Sequence, residues 1–163
     1  MQFHRAFGVY GIIGDNTGLV VIKKNAGPYV NRYDLPGGSL EDGEPLNHAI
    51  IREIMEETGL KVQSATQLGT TSFRYPWKFE DWTMNQHVAV FYKITQTTGN
   101  IAETVSQFDG QDSMGAKWMA LDELNLGNAS PLVLKAKAFL EGDTFDPADT
   151  TYDTWQVLTT PHY

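Results

Sequence analysis

The sequence predicts an α+β sandwich rather than a doubly wound parallel sheet. Three features of the 163-residue chain carry that expectation. Strand-like and helix-like segments come in mixed order instead of strict alternation, hairpin signals stand at the start, and a helix-length segment beginning near residue 45 is bracketed on both sides by punctuating residues.

Taken in order, His4 to Ile13 and Gly18 to Lys24 are rich in Val, Ile, Phe and Tyr and are separated by Gly14-Asp15-Asn16, a pattern that predicts a hairpin. A turn follows at Asn25-Ala26-Gly27-Pro28, and Tyr33 to Leu35 reads as a short strand ending at Pro36-Gly37-Gly38. Pro45 at a first helical position and Gly59 just past the end bracket a helix of about fourteen residues. Leu60 to Phe73 and Thr83 to Ile94 read as strands. Between them the aromatic, turn-prone run Arg74 to Trp82 is a candidate substrate loop. After Thr98-Gly99-Asn100 comes a polar region from Glu103 to Ser113, then a short strand at Lys117 to Ala120 and a brief helix from Leu121. Ser130 caps a last helix, with Pro131 at its first position and Gly142 after its end. Residues 1–142 thus form one expected domain. The acidic tail, 143–163, carries Tyr152 and Trp155 and is expected to pack on that domain or on a partner subunit.

Composition narrows the function classes. A hydrophobic content of 41% suits a single core of ordinary size. The apolar N-terminal residues are interrupted by glycines, His4 and Arg5, which fits neither a signal peptide nor a membrane span, so a cytoplasmic location is expected. Without cysteine there is no disulfide and no thiolate nucleophile, and any metal must be held by oxygen or imidazole. A net charge of -8 argues against long nucleic acid or an anionic membrane as partner. A small phosphorylated substrate remains compatible if cations are brought in as counter-charges. A homodimer is left open.

The chemistry is concentrated on the helix after Pro45. Glu53, Glu56 and Glu57 stand at i, i+3 and i+4 and share a side, while Ile51, Ile54 and Met55 are expected to pack on the sheet with the carboxylates facing outward. Anions near a helix C-terminus oppose the macrodipole, at a cost of roughly 0.3 to 1 kcal/mol each. A solvated acidic face is the ordinary reading of such a run. A divalent cation bound by hard carboxylate oxygens is the functional one.

The wider spacing favours the second reading. From Gly38, five residues lead to Glu44 and seven more to Arg52, followed by Glu53-Ile54-Met55-Glu56-Glu57-Thr58-Gly59-Leu60. This segment resembles the Nudix box at every defined position. The resemblance implies a mixed β-sheet sandwiched between helices, a box folded as loop, helix and loop, and Mg²⁺ or Mn²⁺ as cofactor. By position it implies that Glu56 and Glu57 bind metal with help from the Gly38 carbonyl, and that Glu53 is a metal ligand or the general base. Arg52 would orient Glu53, and Glu44 would support the loop. Hydrolysis of a diphosphate needs an activated water and screening of phosphate charge, which metal and carboxylates together supply.

Relatives in this family often add one acidic residue from outside the box. Asp112 is the candidate, with Glu103, Glu80, Asp81 and Asp109 as competitors. Tyr33, Tyr75 and Trp77 are candidates to stack a base, against the ordinary reading of strand aromatics as core. His48 reads as a surface residue, and His4, His87 and His162 are scattered. The resemblance implies hydrolysis of a diphosphate in a nucleotide-like substrate. A Nudix-fold sensor that binds without turnover is the competing class, disfavoured by the intact box. An isoprenyl diphosphate isomerase of the family would be expected to carry a catalytic cysteine. Pro76, sixteen residues beyond Leu60, resembles a feature of family members that cleave ADP-ribose, whereas the early position of Gly38 resembles those that cleave nucleoside triphosphates.

Overall fold

Ten strand residues, Phe3–Ile12, form β1, and their alternation of apolar side chains toward two opposite cores explains the architecture. The computed structural model describes all 163 residues. In chain order the elements are β1, β2 (Gly18–Lys24), β3 (Tyr33–Asp34), β4 (Gly37–Gly38), α1 (Leu46–Thr58), β5 (Lys61–Phe79), β6 (Trp82–Thr98), β7 (Ser113–Ala120), a 3-10 turn (Leu121–Glu123), α2 (Pro131–Gly142) and β8 (Thr150–Thr151). They build a five-stranded sheet, ordered β4-β1-β6-β5-β8, and a three-stranded sheet, ordered β3-β2-β7. The larger sheet is mixed: β1 runs parallel to β6 and antiparallel to β4, and β5 runs antiparallel to β6.

Val9, Val20, Ile22, Val90 and Tyr92 pack in one core with Ala49, Ile50 and Ile54 of α1. Tyr10, Ile12, Leu19, Val21, Ala89 and Phe91, one residue out of phase on the same strands, pack in the other with Leu132, Val133, Ala136 and Phe139 of α2. Strands with both faces covered lose the apolar-polar alternation and read as continuous apolar runs. The result is the expected mixed sheet arrangement between two helices. Pro45 stands at the N-cap in extended backbone (ψ 148°) rather than at a first helical position, so α1 starts at Leu46, while the caps at Gly59 and Ser130 fall as expected. Gly59 takes the left-handed conformation at φ 76°, its N–H donating to the Met55 carbonyl at 3.0 Å, and Ser130 accepts from the Val133 N–H. At the end of α2 the left-handed position belongs to Asp143, one residue later than expected.

Three expectations need correction. The segments around Gly14-Asp15-Asn16 do not form a continued hairpin. Gly14 bridges Leu19, after which β1 and β2 enter different sheets. The flank of β1 is taken instead by β6 in an unbroken parallel register from Phe3↔Met84 to Ile12↔Lys93, a pairing no local signal announces. Second, Arg74 to Trp82 is not a loop. β5 continues to Phe79 and only Glu80 and Asp81 turn, because Thr71, Phe73, Tyr75 and Trp77 alternate inward at period two while Pro76 stands on the other face. Third, the inward stripe of α1 is Ala49, Ile50, Ile54, Glu57 and Thr58. Ile51 and Met55 are each 44% exposed, and Glu57 is buried rather than facing solvent with Glu53 and Glu56.

After Asp143 the chain returns along the open side of β5. Thr150 and Thr151 pair in parallel with Phe73 and Arg74, and the Trp155 indole N–H donates to the Pro28 carbonyl at 2.8 Å with the Arg32 guanidinium over its ring. No helix is long and apolar enough to cross a membrane.

Candidate active site

The site begins where β4 delivers two glycines against the inner side of α1. The Gly37 N–H donates to Glu57 Oε2 at 2.8 Å. At Gly38 a Cβ would stand 2.8 Å from Glu53 Oε1 and 2.9 Å from its carboxyl carbon, so the Glu53 carboxylate lies directly on the glycine backbone. Glycine is needed there for clearance.

Arg52 is the hub of the outer part. Its Nε and one terminal nitrogen reach both oxygens of Glu44 at 2.8 Å each, and that nitrogen also donates to the Ser39 carbonyl at 3.1 Å. The other terminal nitrogen donates to Glu53 Oε1 at 3.0 Å and to Glu56 Oε2 at 3.4 Å. The bidentate contact of Arg52 is made to Glu44, and Glu53 receives a single bond. Glu44 in turn accepts from the Glu41 N–H, closing the loop before the helix. Hydrogen bonding by Arg52 holds the Glu44 carboxyl down at about 2. Burial pushes Glu53 up, only partly opposed by Arg52, in the direction that suits a proton acceptor working near neutral pH.

The inner part adds Lys24 and Asp34 to the expected Glu57 and Asp112. Lys24, buried at the end of β2, bonds Asp112 and lies 3.8 Å from Asp34. Lys24 and Asp112 meet where the ladder between β2 and β7 is irregular. Asp34 accepts from the Ser130 hydroxyl and the Leu35 N–H. Burial works against the Lys24 ammonium, but Asp34, Asp112 and Glu57 outweigh it and leave its pKa above the ordinary lysine value. Burial pushes Glu57 well up, and Asp112 adds to that while Lys24 opposes it. Asp34, Glu57 and Asp112 thus share one ammonium in a poorly solvated place, an imbalance that a further cation would relieve. No three carboxylate or histidine side chains already converge as a finished metal cage. The donors on hand, carboxylates and the Gly38 carbonyl, are all hard oxygens of the kind Mg²⁺ and Mn²⁺ take, so the donor chemistry fits such an ion.

Beside these groups opens a cavity of about 170 Å³ lined by Tyr10, Lys24, Tyr29, Asp34, Gly38, Asn85, His87 and Asp112 among others. A void of roughly 150 Å³ accepts a benzene ring, so this one has room for one small ring system. Its floor is polar: Asn85 contacts His4 Nδ1 at 2.7 Å and donates to the Tyr75 hydroxyl at 2.7 Å, and His87 lies between two tyrosine hydroxyls.

Of the residues expected from the sequence, Gly38, Glu44, Arg52, Glu53, Glu56 and Glu57 come together around the start and last turns of the box, and Asp112 joins them from the segment before β7. The three candidate stacking aromatics do not line the cavity. Tyr33 packs in the α2 core with Tyr163 against its ring, Tyr75 is fully buried beneath the cavity floor, and Trp77 stacks on Phe79 with His4 against its edge. Sequence reasoning missed Tyr10, Lys24, Tyr29, Asp34, Asn85 and His87. One signal was available: Asn85 and His87 precede Ala89 and Phe91 at period two, which marks polar groups on an inward face.

Residues 2–141 match the NUDIX domain family model. An ADP-ribose pyrophosphatase from Methanocaldococcus jannaschii is 39% identical over 72 residues, which are 44% of this chain and 43% of that protein. A putative 8-oxo-dGTP diphosphatase from Bacillus subtilis is 30% identical over 115 residues, 71% of this chain and 66% of that protein. The matched segments thus span less than two thirds of either relative. In fold, the chain is similar to a MutT NUDIX hydrolase from Burkholderia pseudomallei at a TM-score of 0.65 and 24% identity, covering 83% of this chain and 97% of that one.

Proposed function

The chain belongs to the NUDIX domain family, and on that premise we propose that it is a divalent-metal-dependent pyrophosphohydrolase cleaving the diphosphate linkage of a nucleoside diphosphate derivative such as ADP-ribose. The observation that carries the reading is the contact of Glu53 with Gly38 at the rim of a cavity sized for a ring. It joins a proton acceptor to a place for a nucleoside.

Glu53, Glu56 and Glu57, with the Gly38 carbonyl and Asp112, would hold Mg²⁺ or Mn²⁺. When bound, such an ion supplies Lewis acidity and screens the diphosphate charge. Glu53 takes the proton of the attacking water, a role suited to a carboxylate raised by burial and kept in one orientation by Arg52. Glu44 holds the planar Arg52 fork through both of its oxygens. Lys24 keeps Asp112 turned toward Glu57. The cavity takes one ring of the nucleoside and orients the linkage toward Glu53.

A second reading, a (d)NTP pyrophosphohydrolase, is favoured by the broader coverage of the 8-oxo-dGTP diphosphatase likeness, 71% of this chain against 44% for the ADP-ribose pyrophosphatase. Pro76 no longer weighs toward ADP-ribose, since it lies within β5 and not at the cavity. ADP-ribose, dGTP and 8-oxo-dGTP at matched concentration, each with Mg²⁺, with Mn²⁺ and with excess chelator, test both. Release of AMP and ribose 5-phosphate from ADP-ribose in metal alone supports the first reading. Pyrophosphate release from a triphosphate with ADP-ribose untouched establishes the second, and binding of all three without turnover would make the chain a sensor.

A further inference from the structure

We propose that Tyr10 presents its hydroxyl proton to an anionic oxygen of the phosphate chain of a bound nucleotide, and that His87 is the positioning residue that frees that proton. The assignment rests on the nucleotide reading of the cavity and adds to it a phosphate contact outside the box.

The placement of the hydroxyl is specific. A Cβ at Gly8 would stand 2.7 Å from the Tyr10 hydroxyl and 2.8 Å from the Gly38 carbonyl oxygen, so the two oxygens flank one point. A Cβ at Gly37 would stand 2.8 Å from the Tyr10 ring. Gly8 and Gly37 therefore clear the space that lets the ring reach the junction between the cavity and the box loop. A phenol hydroxyl carries its proton at neutral pH, and toward an anion it acts as a donor.

Whether the proton is available depends on His87. The Tyr10 hydroxyl lies 2.9 Å from Nε2, and the Tyr29 hydroxyl lies 3.1 Å from Nδ1. The ring is buried, with Tyr29 stacked along it and Tyr10 against its edge, which keeps it from turning over. A neutral imidazole has one N–H and one acceptor nitrogen. If the hydrogen is on Nδ1, it goes to Tyr29, and Tyr10 must donate to Nε2. If the hydrogen is on Nε2, Tyr29 donates to Nδ1, Nε2–H donates to the Tyr10 oxygen, and the Tyr10 proton is free to point at the junction. An arriving anionic oxygen selects the second arrangement. Nothing becomes charged in the exchange, so it carries no cost of burying an ion. The plain alternative is a pair of core hydrogen bonds that satisfy a buried histidine and do nothing else.

Tyr10→Phe keeps the ring and removes the hydroxyl. Calorimetry in Mg²⁺ with AMP, dGMP, adenosine and deoxyguanosine compares ligands that differ by the phosphate. The expected result is about a tenfold loss of monophosphate affinity in Tyr10→Phe, the scale of one hydrogen bond to a charged group, with nucleoside affinity unchanged. In the wild-type chain, nitrogen NMR of labelled histidine should show AMP moving His87 to the Nε2–H form and adenosine leaving it unmoved. Equal monophosphate affinity in both proteins, equal losses for nucleosides and monophosphates, or an unmoved tautomer would each overturn the assignment. A wild-type chain that binds none of the four ligands would overturn the nucleotide reading itself, and this assignment with it.

Discussion

Acidification to pH 5 should destabilise the folded protein through His87 alone by about 2 kcal/mol, because burial, joined by the charges of Lys24 and His4, pushes that ring down to about 3. The sign follows from where the proton goes. Between the unfolded value of 6.5 and the folded value of about 3, the unfolded chain binds a proton that the folded chain excludes, so stability contributed by the neutral ring is present at pH 7 and lost as pH falls. One shifted group contributes at most about 1.4 kcal/mol per pH unit, and integration from pH 7 to 5 gives about 2 kcal/mol, or about 4 to 8 °C for a chain of this length. The result is insensitive to the folded value, since a ring with a pKa of about 3 is already neutral at pH 5. Asp34, Glu53 and Glu57 act the other way: burial raises their carboxyls, so lowering the pH relieves the folded state. A melt of the wild type alone mixes these contributions. The assay is therefore the difference between wild type and His87→Gln, melted at pH 7 and at pH 5. The gap should change by about 2 kcal/mol in favour of the variant on acidification. In parallel, the His87 ring proton should show no titration between pH 8 and 5. A gap that stays constant, or a His87 midpoint near 6.5, would refute the reasoning.

Other expectations concern the site. Glu53→Gln should lower turnover by about 10² or more while substrate binding persists, measured by steady-state kinetics beside calorimetry, because it removes the proton acceptor and keeps the shape. Gly38→Ala places a Cβ 2.8 Å from Glu53 Oε1 and should abolish most activity with little change in melting temperature, since the displaced neighbour is the end of a flexible side chain. Asp112→Asn should weaken activity and raise the Mg²⁺ concentration needed, and an unshifted metal titration would remove Asp112 from the ligand set.

What could be read from the sequence divides along the distance between the residues involved. The helix caps at Gly59 and Ser130 and the box spacing from Gly38 to Leu60 are local, and the structure gathers those box residues around one loop and helix. The reaction class was legible for that reason. The Gly14-Asp15-Asn16 turn was also read locally, and there the local signal misled, because β1 is claimed by β6 some eighty residues away. In Arg74 to Trp82 the proline and charged residues outweighed the period-two alternation, which was the physically decisive pattern. On α1, apolar residues on both sides of the helix left its inward face ambiguous, and a buried Glu57 in the core stripe has no sequence signature. The cavity was least legible of all. Tyr10, Lys24, Asp34 and His87 come from four strands, and only non-local pairing brings them together. A box written in contiguous residues and a cavity assembled from scattered ones can vary independently, so the same carboxylates can serve different leaving groups. Substrate choice therefore has to be sought in the residues that the strands bring to the cavity, and not in the segment that announces the chemistry.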